Sequence, residues 1–244
     1  MTVKPYKDKT QSKKQQVRFM FNNIAHSYDS LNHILSLGID ICWRRKAVDM
    51  LSKGENQHIL DVATGTADLA ITAYRSLKPC KITGIDISEK MLEIGKRKII
   101  RCHLESNIEL RSGDSESLEF ENSIFDAAMV AFGLRNFENL AGGLSEIYRV
   151  LAPGAKFIVL EFSSPSVFPV KQLYNFYFRR ILPALGKIFS KDKRAYRYLP
   201  ESVNAFPEGI EFVHFLNRAG FINEQMKRLT FGIATLYSCT KPYL

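Results

Sequence analysis

The chain has 244 residues, 45% apolar and 24% charged, a balance that suits one large α/β domain and excludes a disordered or fibrous protein. Its four cysteines, Cys42, Cys80, Cys102 and Cys239, form no C-x-x-C pair, which argues against a zinc site or a disulfide framework and for a reducing compartment. The net charge of +9 is concentrated, with +5 in residues 1–18 and +7 in residues 171–197, so the remainder is about −3.

No N-terminal apolar segment resembles a leader, and no run reaches the roughly 18 apolar residues of a spanning helix. A soluble, cytoplasmic protein is expected. Residues 1–16 are polar and basic and read as a disordered arm. From Val17 apolar residues recur at helical spacing (Phe19, Phe21, Ile24, Tyr28, Leu31, Ile34, Leu35), and after Gly38 a second amphipathic helix starts near Ile39 with Trp43, Ala47 and Met50 on one face. Residues 17–54 therefore form a helical appendage ahead of the first strand, able to lie over a site as a lid.

The rest, 55–244, alternates strands and helices. Strands are expected at Ile59–Val62, Lys81–Ile87, Ile108–Arg111, Phe125–Phe132 and Lys156–Phe162. The intervening helices run from Ala67 to about Leu77, from a Ser88-Glu89 cap through Lys98, and from Asn139 to Leu151, the last closed by Pro153-Gly154. Phe125–Phe132 is apolar but for Asp126, as a strand buried on both faces should be. An insertion at 166–200 breaks the rhythm; a helix at Glu201–Ala219 and strands at Gly220–Leu229 and Phe231–Thr240 follow. With no helix between them, those last strands can pair antiparallel as a terminal hairpin. The expected fold is a Rossmann-like α/β sheet of seven mostly parallel strands, as in class I methyltransferases dependent on S-adenosylmethionine.

Ligands of such sheets sit beyond the carboxyl ends of the strands. The first βα turn reads DVATGTADLA, and Asp86 falls 21 positions after its Gly65. A glycine turn lets backbone approach a ligand, and an acid at the second strand tip grips ribose hydroxyls. The G-x-G-x-x-G and Walker-A spacings are missing, so a phosphate-free adenosine cofactor, S-adenosylmethionine, fits better than a dinucleotide; a purely structural βα turn is the other reading. Asp114 could accept from an adenine amine, with the Ser115 amide beside it, unless the pair merely makes an Asx turn. Glu161, at the end of the fifth strand, suits bracing of neighbouring loops.

After the fourth strand, AFGLRNFEN places Arg135 and Asn136 where a transferable methyl group should point. The segment lacks the N/D-P-P-Y/F pattern for exocyclic amines, and no cysteine marks the strand tips for a covalent route to a pyrimidine carbon. An arginine and an asparagine suit a substrate oxygen that becomes anionic; capping of the next helix is the plainer role for Asn136. Tyr28, Asp29 and Asn32 suit lid residues, with helix capping by Asp29 as the alternative. In 166–197, Phe168, Tyr174, Phe176, Tyr177, Phe178 and Phe189 interleave with Lys171, Arg179, Arg180 and Lys187, a pattern for a lid or a lipid interface rather than nucleic acid.

These motifs resemble the ubiquinone/menaquinone biosynthesis C-methyltransferase family. Its Y-D-x-M-N-x-x-x-S-x-G-x-H-x-x-W signature is similar to Tyr28-Asp29-Ser30-Leu31-Asn32, then Ser36, Gly38, Asp40 and Trp43, with Leu31 for Met and Asp40 for His. Arg149-Val150-Leu151-Ala152-Pro153-Gly154-Ala155, the Glu161-Phe162 strand end, FGLRN at 132–136 and YRYLPESV at 196–203 match as well. The resemblance implies a C-methyltransferase acting on a prenylated quinol, most like demethylmenaquinol, with the equivalent ubiquinone step or another phenol as alternatives. It implies S-adenosylmethionine on Gly65, Thr66, Asp86, Asp114 and Ser115, and the quinol among Tyr28, Arg135 and Asn136, without a metal. Peripheral contact with the inner membrane face, a homodimer and no nucleic acid are the expected associations.

Overall fold

The computed structural model describes residues 3–6, 10–36, 38–51, 58–79, 81–177 and 193–243. Cys80 and most of the basic stretch of the insertion, including Phe178, Arg179, Arg180, Lys187 and Phe189, fall outside the described residues, as do the side chains of Leu31, Ile34 and Leu35.

Two helices lead, α1 (Lys13–Leu35) and α2 (Ile39–Val48). The alternating part follows as β1 (His58–Val62), α3 (Asp68–Leu77), β2 (Lys81–Asp86), α4 (Glu89–Arg101), β3 (Ile108–Ser112), β4 (Phe125–Ala131), α5 (Leu140–Val150) and β5 (Leu151–Phe162). Then come α6 (Val170–Phe176), α7 (Lys193–Ala205), α8 (Ile210–Arg218), β6 (Ile222–Leu229) and β7 (Ala234–Thr240). The seven strands stand in the order β3-β2-β1-β4-β5-β7-β6. β1 through β5 are parallel, and β7 runs antiparallel to both β5 and β6. The strand order reverses between β1 and β4, which opens a crevice at their carboxyl ends.

Alternation along the strands builds two cores. Ile59, Ala127, Met129 and Ile158 face one side, against Trp43 and Ala47 of α2, Leu69 and Ala73 of α3 and Leu92 and Ile99 of α4. Leu60, Ala128, Val130 and Phe157 face the other, against Leu144 and Ile147 of α5 and Phe212 and Leu216 of α8. Side chains of a strand change face at every residue, so a strand covered on both sides is apolar along its buried length, as β4 is from Ala127 to Ala131; Asp126 near its start is only half-buried and accepts from the His58 amide at 2.8 Å.

A third cluster matters most for the site. Val17, Met20, Ile24 and Ala25 of α1 pack with Met91 of α4, with Ala195 and Tyr198 of α7, and with Tyr6. Here the expected disordered arm is corrected for its described residues, 3–6 and 10–16. Tyr6 is 4% exposed, its amide donates to Gln16 Oε1 at 2.9 Å, its ring meets Phe19 edge-on at 5.7 Å, and α1 begins at Lys13. One anchoring ring within a polar segment outweighs its composition.

Two other expectations change. Pro153-Gly154 does not close α5; the helix stops at Val150 and β5 starts at Leu151. Gly154, at φ +79°, sits in the strand with its amide bonded to Lys241 O at 2.8 Å. The single helix expected over Glu201–Ala219 is two helices, because Pro207 and Gly209 (φ +65°) interrupt it. Proline removes the helical donor, and the Gly209 amide donates instead to the Tyr237 hydroxyl at 2.8 Å.

Candidate active site

The turn after β1 packs left-handed residues close together, with φ of +51° at Ala63, +57° at Gly65 and +66° at Ala67. It lifts backbone amides toward the end of β2. There Asp86 Oδ2 accepts from the Gly65 amide and Oδ1 from the Ser88 amide, each at 2.8 Å. A Cβ built on Gly65 meets no atom within 4 Å, so the glycine is kept for its backbone angle and for open space above it. Burial pushes the Asp86 carboxyl up to about 6, while amide donors from Ser88, Gly65 and Ile87 oppose the rise.

Around that space the structure brings together Tyr28, Gly65, Asp86, Asp114, Ser115 and Asn136, which line one pocket. The other two expected residues stand behind its wall. The Thr66 hydroxyl, in a residue 3% exposed, donates to Asp29 Oδ1 at 2.5 Å, so in this structure it faces the lid. Asp29 lies within α1 and caps nothing: its other oxygen takes a bond from Lys98 Nζ at 2.9 Å. Lys98 also pairs with Asp68, which neighbours Arg44, and Arg44 pairs with Asp40. Asp40, where the family signature has histidine, is 3% exposed and works as a buried counter-ion. The chain of charges ties both N-terminal helices to α3 and α4.

Arg135 lies in a 3₁₀ turn, Leu134–Asn136, just past β4. Its Nη1 donates to Glu161 Oε1 at 2.8 Å and also to Phe132 O, and its guanidinium lies 5.3 Å from the Phe162 ring centre. Glu161 further accepts from the Phe162 amide at 2.9 Å and from the Arg135 amide at 3.3 Å. It braces this turn, as its place at the end of β5 suggests. Arg135 Nε and Asn136 Oδ1 are buried with no hydrogen-bond partner. The Tyr28 hydroxyl nearby has its pKa raised by burial, against the opposing charge of Arg135 and a bond to Asn32.

Sequence reasoning missed the pocket's outer wall. Lys14, Val17 and Phe21 of α1 and Met91 of α4 also line it. Lys14 Nζ bonds Asp114 Oδ2 at 2.6 Å and approaches Glu116 at 3.6 Å. Beside it Lys13 Nζ donates to the carbonyls of Arg135 and Phe137, at 2.9 and 2.6 Å; burial lowers its pKa to about 8. The apolar spacing from Val17 to Phe21 and Tyr28 was a usable signal. Nothing in the polar run before Val17 marked either lysine.

Seven strands in this order, a glycine turn after β1 and an acid at the tip of β2 define the fold of class I S-adenosylmethionine-dependent methyltransferases. Similar solved structures include a methyltransferase of this class from Thermotoga maritima, with a TM-score of 0.60 and 20% identity, covering 92% of this chain and 99% of that one. Another is phosphoethanolamine N-methyltransferase 2 of Haemonchus contortus, solved with S-adenosylmethionine, with a TM-score of 0.60 and 15% identity over 82% of this chain and 52% of that one. The chain belongs to the ubiE/COQ5 methyltransferase family, whose model matches residues 9–241. It is 48% identical over 239 residues to a demethylmenaquinone methyltransferase of Bacteroides fragilis, covering 98% of this chain and 97% of that protein. It is 44% identical over 236 residues to the protein of that name from Porphyromonas gingivalis, with 96% of each covered. A ubiquinone/menaquinone biosynthesis C-methyltransferase of Geotalea daltonii matches at 44% over 234 residues, 96% of this chain and 99% of that protein.

Proposed function

We propose that this protein transfers a methyl group from S-adenosylmethionine to a ring carbon of a prenylated quinol, converting demethylmenaquinol to menaquinol. The observation that carries the reading is the pair of unpartnered buried atoms, Arg135 Nε and Asn136 Oδ1, beside a pocket floored by Gly65 and Asp86. The naphthoquinol is preferred to a benzoquinol because two of the similar proteins carry the menaquinone name alone.

The residues present fit the cofactor. The open space over Gly65 is a cradle that any side chain there would fill. Asp86 would hold the ribose, Asp114 and Ser115 the adenine edge, and Thr66 would support the turn. When bound, S-adenosylmethionine supplies an electrophilic methyl group. The chain's own work is to make a ring carbon nucleophilic. Loss of a proton from a quinol hydroxyl moves electron density to the adjacent carbon, and the Arg135 charge, held by Glu161, stabilises the oxyanion. Asn136 and Tyr28 fix the ring, and α1 with α7 shuts out water. The ring carbon gives up its hydrogen as a proton, which restores aromaticity.

A prenylated substrate also calls for peripheral contact with a membrane. Among the described residues no helix is long and apolar enough to cross one. Phe168 and Phe231 are 77% and 76% exposed, and Val167, Leu173 and Phe176 are exposed as well. Phe162 pairs with Ala234, so the β6–β7 turn bearing Phe231 lies at the same sheet end as the pocket. Replacing Phe168 and Phe231 with Asp should abolish flotation with anionic liposomes; undiminished flotation would refute this surface.

The reaction itself is tested with purified protein, cofactor and a short-chain demethylmenaquinone. The reduced ring should gain one methyl group while the oxidised, electron-poor ring should not. Equal methylation of both forms would contradict the chemistry.

A further inference from the structure

Among the described residues, three buried side-chain polar atoms have no hydrogen-bond partner: Arg135 Nε, Asn136 Oδ1 and the Tyr198 hydroxyl. The first two belong to the turn after β4. The third comes from α7, which packs against that turn and against α1.

Tyr198 is 3% exposed. It sits one helical turn after Ala195 and packs with Val17, Met20 and Ile24 of α1 and Met91 of α4. Phenylalanine would fill that space equally well without the cost of a dry, unpaired hydroxyl. Packing therefore explains the ring and leaves the oxygen unexplained. The packing of α7 on the Leu134–Asn136 turn brings the helix that carries Tyr198 beside the other two atoms, and the charges of Arg135 and Glu161 both bear on its hydroxyl. The three are chemically complementary. One is an N–H donor, one is a carbonyl acceptor, and the hydroxyl can do either. That set matches a ligand carrying hydroxyl or phenolate oxygens and matches no partner among the described residues.

We propose that the Tyr198 hydroxyl hydrogen-bonds a ring oxygen of the quinol and completes, from α7, the polar clamp begun by Arg135 and Asn136. This rests on the quinol reading above. It assigns a role in substrate recognition to the helix that follows the aromatic insertion, not only to the strand tips. Burial raises the Tyr198 pKa, so the group stays protonated at neutral pH and serves as a donor rather than as the base. A Tyr198→Phe variant loses an oxygen that holds nothing in the free protein but something in the complex. Turnover should therefore fall with no loss of stability, a pattern that a structural hydroxyl would not give.

The test uses the full chain. Tyr198→Phe and wild type are compared by thermal unfolding, by calorimetry with S-adenosylmethionine, and by steady-state methylation of a short-chain demethylmenaquinol. The expected result is a Tm unchanged or raised by about 2–4 °C, cofactor affinity within about twofold, and kcat/KM for the quinol lowered about tenfold or more. A Tm several degrees lower would mean the hydroxyl serves the fold, through a buried water for instance, and would overturn the proposal. So would kcat/KM within about twofold of wild type. If wild type itself leaves the quinol unmethylated, the underlying reading falls and takes this inference with it.

Discussion

Replacing Glu161 with Ala would remove the only carboxylate that, among the described residues, pairs with the buried Arg135 guanidinium. The two side chains are 7% and 1% exposed, so solvent screens the pair little. An uncompensated buried charge costs about 3–5 kcal/mol, which for a chain of this size lowers Tm by roughly 6–20 °C. The Phe162 amide loses its acceptor too. Removing both charges is different in kind. Arg135→Met with Glu161→Leu leaves no unpaired ion, so the double variant should be more stable than Glu161→Ala alone. Cofactor affinity should stay within about threefold in each, because Asp86 ends β2, which β1 separates from β4, while turnover falls by roughly a hundredfold or more. Urea unfolding at neutral pH and calorimetry read out all of these. A loss below about 1 kcal/mol for Glu161→Ala, or a double variant as unstable as the summed singles, would refute the reasoning.

Asp86→Ala should weaken S-adenosylmethionine by about tenfold or more, since the carboxylate that would grip the ribose is gone; calorimetric affinity equal to wild type would remove it from the site. Asp61 makes a pH prediction. Burial raises its pKa from 3.8 to about 7, with the Thr64 hydroxyl bond opposing. Between those values the folded state holds a proton that the unfolded chain has lost, so raising the pH destabilises the fold. Asp61→Asn should therefore gain on wild type from pH 4 to 7, by at most roughly 4 kcal/mol, in urea titrations; a gap independent of pH would contradict this. Lys14→Met should leave the fold intact yet change cofactor affinity measurably, because Lys14 sits on Asp114 in the pocket wall; an unaltered isotherm would show that the contact is incidental.

Much of this was legible in the chain. β4 announced itself because both of its faces are covered, which forces the apolar run that follows Asp126. Gly65 and Asp86 stood out because turn geometry and a carboxylate at the next strand tip are local properties, separated by one βα unit. Three things were hidden, each because its cause is tertiary. Tyr6, within a polar segment, is anchored by Gln16 and Phe19 in α1. The end of α5 is set by the ladder that begins at Leu151, which overrode the Pro153-Gly154 stop signal. The bond from the Thr66 hydroxyl to Asp29 of the lid had no signal in one dimension, because the two residues lie 37 positions apart. The orphaned oxygen of Tyr198 had no sequence signal at all, since an aromatic on an amphipathic helix looks the same with or without a partner for its hydroxyl.

The most direct measurement is made on quinones extracted from cells that lack this protein and carry either the wild-type gene or the Arg135→Ala variant in its place. Without the protein, mass spectrometry should find the prenylated naphthoquinone lighter by one methyl group. Wild type should restore the mature species, and Arg135→Ala should leave the lighter one accumulating despite normal cofactor binding. An unchanged quinone profile in the deleted cells, or full restoration by Arg135→Ala, would contradict a methyl transfer built around that guanidinium.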